Sequence, residues 1–143
     1  MIMNYRTIEK GYIGQLIVEK KFLNEGWILY RPILENGKID LIAEKDNKYI
    51  RIQIKTTQTV ISGKNNHISR YVPLCKVSHN MGKYKIHRYT KEEIDYFIGV
   101  DVDTEDLYIL PINVVEKFRR TIALSTAEPW KNNFEQLTNN SST

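Results

Sequence analysis

The feature that most constrains the fold of this chain is a pair of β-favouring segments separated by only two residues. Residues 39–45 and 48–56 are rich in Ile and other residue types that favour strands. Asp46 and Asn47 lie between them, and both residue types tolerate the positive φ angles of a tight turn. The pattern therefore predicts a β-hairpin with a two-residue turn.

The register of this hairpin decides which side chains share a face. Counting outward from the turn places Ile42 opposite Arg51 and Asp40 opposite Gln53, and such partners lie on one face with Cβ atoms about 5 Å apart. Strand alternation puts Lys55 on that face too. The other face is apolar and consists of Leu41, Ala43, Ile50, Ile52 and Ile54. The hairpin thus predicts a carboxylate, a carboxamide and an ammonium group close together.

The segments around the hairpin predict both helices and strands. A first helix is expected to begin at Thr7 as N-cap and to end before Gly26, with a buried apolar stripe of Ile8, Tyr12, Ile13, Leu16, Ile17 and Leu23. A second helix is expected from Asn113, as N-cap, through Phe118. Further strands are predicted at residues 27–30, 68–74, 96–102, 107–110 and 121–125, and residues 75–88 are expected to be irregular. This order predicts an α/β fold with a mixed β-sheet flanked by helices.

Length and composition limit the classes of protein. The chain has 143 residues, of which 41% are hydrophobic and 27% charged, as is usual for one globular domain. We expect that domain to span residues 1–137 and residues 138–143 to form a disordered tail. No apolar run approaches the roughly 18 residues that a membrane span needs, so a membrane protein is not expected. The first residues lack the apolar stretch of a secretory signal, which predicts a cytoplasmic protein.

Charge is distributed unevenly along the chain. There are 21 Lys and Arg residues against 17 Asp and Glu residues, yet residues 47–91 contain no acidic residue and ten basic ones. If this segment is contiguous in space, it forms an electropositive face suited to nucleic-acid phosphates, although a solvated basic face without a partner has the same pattern. The candidate DNA-binding residues, in a basic excursion over residues 56–91, are Lys64, Arg70, Lys76, Lys83, Lys85 and Arg88.

The polar face of the hairpin suits metal-assisted hydrolysis of a phosphodiester. An Asp oxygen, a second oxygen ligand and a peptide carbonyl can hold Mg²⁺. Asp40, the Gln53 amide oxygen and the Ile54 carbonyl supply these groups. Lys55 follows the second ligand by two residues and can reach the attacking water or a phosphate oxygen. An ordinary amphipathic hairpin is the alternative explanation of the same residues.

The sequence around the hairpin also resembles that of a known family. The segment GKIDLIAEKDNKYIRIQIKTT is similar to the core of the PD-(D/E)xK nucleases, with Asp40 at the PD position and Gln53 and Lys55 at the (D/E)xK positions. Its flanks, EKGYIGQLIVEKKFLNEGWILYRP and EIDYFIGVDVDTEDLYILPINVV, resemble elements of the group I intron homing endonucleases within that family. The resemblance implies a restriction endonuclease-like core and a site-specific double-stranded DNA endonuclease that uses Mg²⁺, with Mn²⁺ as a substitute.

Two positions depart from the pattern of that family. The second metal ligand, usually Asp or Glu, is Gln53 here, and a supporting Glu of the first helix corresponds to Gln15. Glu19, one turn later, is expected to face solvent rather than to replace that Glu. Weaker metal binding is therefore expected. A slow enzyme, an inactive one, and a Glu-to-Gln change at position 15 made to trap a substrate complex all fit the sequence.

Three functions remain as hypotheses. In a homing endonuclease, one site per domain and two strands per duplex imply a homodimer or homotetramer. Archaeal Holliday junction resolvases resemble the N-terminal half, which makes a junction-cutting nuclease the nearest alternative. A DNA-binding protein with a degenerate site is the alternative of another class, and the amides at Gln15 and Gln53 support it.

Overall fold

The computed structural model describes residues 6–138, which form four α-helices, one short 3-10 helix and ten strands. The helices are α1 (Thr7–Asn24), α2 (Ile112–Phe118), α3 (Leu124–Ala127) and α4 (Glu135–Thr138), and the 3-10 helix is Glu128–Trp130. The strands are β1 (Ile28–Tyr30), β2 (Leu41–Lys45), β3 (Lys48–Thr56), β4 (Gln58–Ser62), β5 (His67–Pro73), β6 (Cys75–Asn80), β7 (Lys83–Arg88), β8 (Tyr96–Val100), β9 (Leu107–Pro111) and β10 (Thr121–Ala123). The predicted α/β fold with a mixed sheet and flanking helices is confirmed.

The predicted hairpin is formed by β2 and β3. Asp46 and Asn47 have φ angles of 51° and 63°, the backbone of a two-residue hairpin turn. Lys45 lies opposite Lys48 and Ile42 opposite Arg51, so the predicted register is confirmed. The apolar face is buried throughout, as expected, and consists of Leu41, Ala43, Ile50, Ile52 and Ile54.

The hairpin lies within a five-stranded sheet of order β1-β2-β3-β8-β9. β3 and β8 are parallel, and the other neighbouring pairs are antiparallel. The start of β8 is fixed to β3 by Asp95, whose Oδ2 accepts a 2.8 Å hydrogen bond from the Arg51 backbone N–H. The Arg51 guanidinium also forms an ion pair with Asp95 at 3.1 Å. These contacts hold the two central strands in register beside the predicted site.

Helix α1 covers one face of the sheet with a different stripe from the predicted one. Ile17 is buried as expected, but Ile8, Tyr12, Leu16 and Leu23 are exposed. The buried residues of the helix are Gly14, Ile17, Val18, Glu19 and Phe22. A Cβ atom at Gly14 would lie 2.9 Å from the side chains of both Thr56 and Val100. The helix therefore lies close to the sheet at Gly14, where a larger side chain would not fit.

Two N-cap predictions are also corrected. Thr7 is already within α1, and Arg6 occupies the cap position without a side-chain hydrogen bond. Asn113 likewise lies inside α2, which begins directly after β9 with Pro111 at its cap position. In both cases the polar residue that favours a cap lies one or two residues after the cap position. The preceding segment determines where the helix begins.

The opposite face of the sheet is covered by α2 and by a small sheet of order β10-β5-β4. Strand β10, within the strand predicted at residues 121–125, pairs with β5 at the edge of this small sheet. The two sheets approach closely at Gly99, where a Cβ atom would lie 2.5 Å from Val72. The five-stranded sheet thus has an apolar core on each face, one against α1 and one against α2 and the small sheet.

The basic excursion is more regular than expected. Residues 75–88, predicted to be irregular, form the β6–β7 hairpin, and residues 58–73 form the β4–β5 hairpin. The prediction failed because the strands of β6–β7 are largely exposed and polar on one side, so they lack the apolar alternation that marks a half-buried strand.

The C-terminal residues pack against the core. Leu137 in α4 is fully buried, and Thr138 is the last residue of that helix. The rest of the predicted disordered tail, residues 139–143, lies outside the described residues. None of the helices between residues 6 and 138 is both long enough and apolar enough to span a bilayer.

Candidate active site

The three predicted hairpin residues line one cleft. Asp40, Gln53 and Lys55 border a cavity of about 360 Å³ that is also lined by Gln15 of α1 and Pro73 of β5. Gln53 and Lys55 alternate with the buried Ile52 and Ile54 along β3, as the register requires. The structure therefore brings together the carboxylate, the carboxamide, the ammonium group and the auxiliary helix position.

Asp40 is fixed immediately before β2. Its backbone N–H donates to the Ile52 carbonyl at 2.9 Å, and its Oδ2 accepts the Ile54 backbone N–H at 2.9 Å. Burial raises the pKa of the Asp40 carboxyl, while the Ile54 hydrogen bond and the charge of Lys55 oppose that rise. Burial thus gives the ionised carboxylate an unfavourable free energy, and a bound cation would offset it.

Gln53 has an unpaired oxygen inside the protein. Its side chain is 6% exposed, and its Nε2 donates to the Ile54 carbonyl at 3.3 Å. Its Oε1 is buried and has no hydrogen-bond partner within the described residues. Buried polar atoms are nearly always paired, so an orphaned acceptor needs an explanation such as an ion or a water molecule. An acceptor of this kind is suited to a cation.

Gln15 is oriented by a network that the sequence did not reveal. Its Nε2 donates to Glu19 at 3.2 Å, which leaves its Oε1 as the end without a hydrogen bond to another described residue. Arg31, which follows β1, binds both carboxylate oxygens of Glu19, with its Nε 2.7 Å from Oε2. Those hydrogen bonds hold the pKa of Glu19 below its usual value.

The expectation that Glu19 faces solvent is wrong, because the residue is 8% exposed and its carboxylate is paired with Arg31. The Arg31 guanidinium, which binds both of its carboxylate oxygens, accompanies this burial. The ion pair satisfies the carboxylate, so Glu19 acts on Gln15 through a hydrogen bond. The only sequence feature that pointed to this ion pair was Arg31, a basic residue directly after a short strand. Basic residues in that position are too common to be informative.

The loop before Asp40 is held at several points. The Asn36 Oδ1 accepts the backbone N–H groups of Lys38 and Ile39 at 2.8 and 2.9 Å. The Tyr89 hydroxyl donates to the Gly37 carbonyl at 3.3 Å. Burial raises the pKa of Tyr89 to about 12, so this hydroxyl remains a neutral donor. These contacts limit the positions that Asp40 can take.

The six predicted DNA-binding residues lie in different environments. Lys83 and Lys85 are exposed on β7, and Lys64 lies in the connection between β4 and β5. Arg70 pairs with the buried carboxylate of Asp101, which gives its guanidinium a structural role. The remaining two, Lys76 and Arg88, lie on opposite faces of the β6–β7 hairpin.

Lys76 extends from β6 to the loop that precedes Asp40. Its Nζ lies 3.0 Å from the position that a Gly37 Cβ would occupy. Its charge is among those that lower the pKa of Asp40. The sequence placed Lys76 in a basic segment but gave no indication that it lies beside Gly37, which is distant along the chain.

The donor set fits a hard divalent cation, although with few charges. No group of three His, Cys, Asp or Glu residues suited to a metal occurs in the part of the chain that the structure describes. The predicted ligand oxygens in the cleft are the Asp40 carboxylate, the orphaned Gln53 Oε1 and the Ile54 carbonyl, and Gln15 also lies on its lining. Mg²⁺ binds carboxylates and neutral oxygens and retains several waters. These residues therefore fit Mg²⁺, although they supply only one formal negative charge.

Comparisons with known proteins concern the family and the fold of the chain. A family model described as PD-(D/E)XK endonuclease matches residues 5–141. The fold is similar to that of I-Ssp6803I, a bacterial homing endonuclease, with a TM-score of 0.80 and 18% identity over 93% of each chain. A 58-residue stretch is 38% identical to Protein 5.3 of Escherichia phage T7. That stretch is 41% of this chain and 48% of the phage protein, so the match spans about half the length of that relative.

Proposed function

The chain belongs to the PD-(D/E)XK endonuclease family, and from that premise we propose that it is a Mg²⁺-dependent, site-specific endonuclease of double-stranded DNA. The observation that carries this proposal is the meeting of Asp40, the orphaned oxygen of Gln53 and Lys55 in one cleft. We further propose the intron-homing type. That proposal is supported by the sequence resemblance and by the likeness of the fold to a homing endonuclease.

Each residue of the cleft has a distinct role in this proposal. Asp40, Gln53 and the Ile54 carbonyl would hold Mg²⁺, which neutralises developing charge on the scissile phosphate and lowers the pKa of water. Asp40 is a fixed ligand because its other oxygen is tied to the Ile54 N–H. Lys55 orients the attacking water or a phosphate oxygen through its ammonium group.

Gln15 acts as a neutral substitute for an auxiliary acid. The Arg31–Glu19 pair holds its amide nitrogen, so its oxygen is the end that remains for a water molecule of the metal or for the phosphate. Two amides in place of two acids leave Asp40 as the single anionic ligand. We therefore expect a requirement for high Mg²⁺ concentrations, and we expect Mn²⁺ to support cleavage as well.

Cleavage of both strands requires a second active site. The cleft described here is one site per chain, and a duplex presents two scissile phosphates. We propose a homodimer or a homotetramer, since closed symmetric assemblies place identical sites on the two strands. A larger assembly also extends the surface available for a long target.

The proposed function is tested by mapping cut ends on a random-sequence duplex library with Mg²⁺, Mn²⁺ or EDTA. Metal-dependent ends clustered at one sequence support the proposal, and Gln15→Glu in parallel shows whether an acid there increases the rate. Preferential cutting of a four-way junction over linear duplex would instead support a junction resolvase. Salt-dependent binding without cleavage in either metal would support a degenerate DNA-binding protein, which the two amides favour.

Replacing Gln53 with Glu is expected to strengthen metal binding. The added carboxylate supplies the charge that the family usually has at this position, and we expect the Mg²⁺ concentration for half-maximal thermal stabilisation to fall roughly ten-fold. The metal-free variant should be less stable than the parent, because a second carboxylate would be buried beside Asp40. Gln58→Glu, at an exposed position on the rim of the same cleft, is the matched control. Equal Mg²⁺ dependence of both variants would contradict the ligand role of Gln53.

Replacing Lys83 and Lys85 together with Ala is expected to weaken DNA binding similarly for all sequences. Neither lysine forms an ion pair within residues 6–138, so both ammonium groups are available to phosphates. Each phosphate contact contributes about 0.9 to the slope of log K against log salt, and the slope should fall by about 1.8 for two contacts. Fluorescence anisotropy at several salt concentrations measures it. An unchanged slope would place the DNA interface elsewhere.

A further inference from the structure

The β6–β7 hairpin has two chemically different faces. Its strands pair residue by residue from Cys75–Arg88 to Asn80–Lys83, and the turn at Met81 and Gly82 has φ angles of 50° and 77°. Alternation places on one face, here called the polar face, Lys76, Ser78, Asn80, Lys83, Lys85 and His87. The other face carries Cys75, Val77, His79, Tyr84, Ile86 and Arg88. Every side chain of the polar face can form hydrogen bonds.

The polar face is free of the rest of the protein except at its base. Its residues are exposed apart from His87, which is half-buried and lies 3.0 Å from the Glu93 carboxylate. The lysines of this face form no ion pair with any residue that the structure describes. A row of unpaired donors and acceptors on a protruding hairpin has no structural use within the chain.

The base of the polar face lies beside the loop that leads to Asp40 in the candidate active site. Lys76, at its base, lies next to Gly37 and is near enough to Asp40 to lower the pKa of that carboxyl. A molecule bound across the polar face would therefore extend from the cleft along the hairpin. A duplex with its scissile phosphate at Asp40 meets this requirement.

The dimensions of the hairpin suit a DNA groove. Six residues of a strand extend about 20 Å, and the major groove, about 12 Å wide, admits a two-stranded β-ribbon. We propose that the polar face of the β6–β7 hairpin enters the major groove beside the cleavage site and that Ser78 and Asn80 read base edges there. This inference rests on the proposed function and assigns the sequence specificity of cleavage to the polar face.

The side chains of the polar face contact bases or phosphates according to their length. Asn80 can form two hydrogen bonds with the N6 and N7 atoms of adenine, and Ser78 can donate to or accept from several bases. Lys83 and Lys85 lie opposite these two residues and are long enough to reach the phosphates at the groove edge. Base readout therefore depends on β6, and affinity without sequence preference depends on β7.

The test compares Asn80→Ala with His79→Ala, its neighbour on the other face. Each protein is used to select sequences from a randomised duplex pool in Ca²⁺, and its affinities for the selected duplex and for a scrambled one are measured. Asn80→Ala is expected to reduce the ratio of these affinities by about 5- to 150-fold, the effect of losing one bidentate base contact, and to lose the base preference at one position. His79→Ala should retain both the ratio and the selected sequence.

The outcomes separate this inference from the proposed function. If the parent selects a sequence and Asn80→Ala and Ser78→Ala both retain it with an unchanged affinity ratio, the polar face does not read bases. An effect of His79→Ala equal to that of Asn80→Ala would also overturn the inference. If the parent does not bind DNA at all, the proposed function fails first, and the inference fails with it.

Discussion

Replacing Asp40 with Asn is expected to abolish DNA cleavage and to stabilise the metal-free protein at neutral pH. Cleavage is lost because Asp40 is the single anionic ligand of the proposed metal site. Metal assistance contributes several kcal/mol to such reactions, so we expect a decrease of at least about 10³-fold in the rate. The Asn oxygen can still accept the Ile54 N–H that Asp40 Oδ2 accepts at 2.9 Å, and the hairpin should keep its geometry.

The stability effect follows from the raised pKa of Asp40. Burial raises this pKa in the folded protein, so the folded state holds the proton more tightly than the unfolded chain does. Above the unfolded pKa of about 3.9, ionisation therefore favours the unfolded state, and stability decreases as the pH rises through the folded pKa. Asn does not ionise. The variant should gain stability over the parent as the pH rises from about 3 to 7, measured by denaturation in EDTA.

Mg²⁺ should reverse the order of stability of the two proteins. A ligand at 100 times its Kd stabilises the folded state by about 2.7 kcal/mol, which the parent should gain and the variant should not. Asp46→Asn is the matched control, since it makes the same chemical change at the exposed turn of the same hairpin. Normal cleavage by Asp40→Asn, or equal Mg²⁺ stabilisation of both proteins, would remove the basis for the proposed metal site.

Replacing Lys55 with Met is expected to decrease cleavage by about 10²- to 10⁴-fold, the usual contribution of a positioned acid or base. Met has a similar length and apolar stem, so the packing of this half-buried side chain is largely kept while the ammonium group is lost. DNA affinity should change by only a few fold, because most phosphate contacts are assigned to the exposed lysines. Single-turnover cleavage and anisotropy in Ca²⁺ measure the two effects separately.

A second readout distinguishes a direct role of Lys55 from a structural one. The Lys55 charge opposes the rise of the Asp40 pKa, so its removal should move the acidic limb of the pH profile of residual cleavage upward. Lys117→Met, on the exposed surface of α2, makes the same substitution away from the cleft and should alter neither cleavage nor the profile. Cleavage by Lys55→Met at the rate of this control would exclude Lys55 from the mechanism.

The central hairpin could be predicted from the sequence because its determinants are local. The two residues that accept positive φ, Asp46 and Asn47, fix the turn, and the turn fixes the register. The register then decides which side chains share a face, since a shift of one residue would put the Ile side chains into solvent. For this reason the grouping of Asp40, Gln53 and Lys55 followed from the chain alone.

The rotation of α1 could not be predicted in the same way. Most of the predicted apolar stripe, including Tyr12 and Leu16, is exposed, and the buried face of the helix includes Gly14 and Ile17 instead. A glycine carries no hydrophobic signal, and its importance appears only where Thr56 and Val100 approach it. The error extended to Glu19, because its burial depends on Arg31, a residue from another part of the chain.

The sequence by itself determined the family resemblance, the hairpin, its register and the three side chains on its polar face. Only the tertiary structure decided that Gln15 joins them through the Arg31–Glu19 pair, that Lys76 lies beside Gly37 in the loop before Asp40, and that Arg70 is paired with Asp101. The physical reason is the range of the interactions. Turn geometry and strand alternation act between near neighbours in the chain, whereas these contacts join elements whose separation in space depends on the packing of the whole sheet.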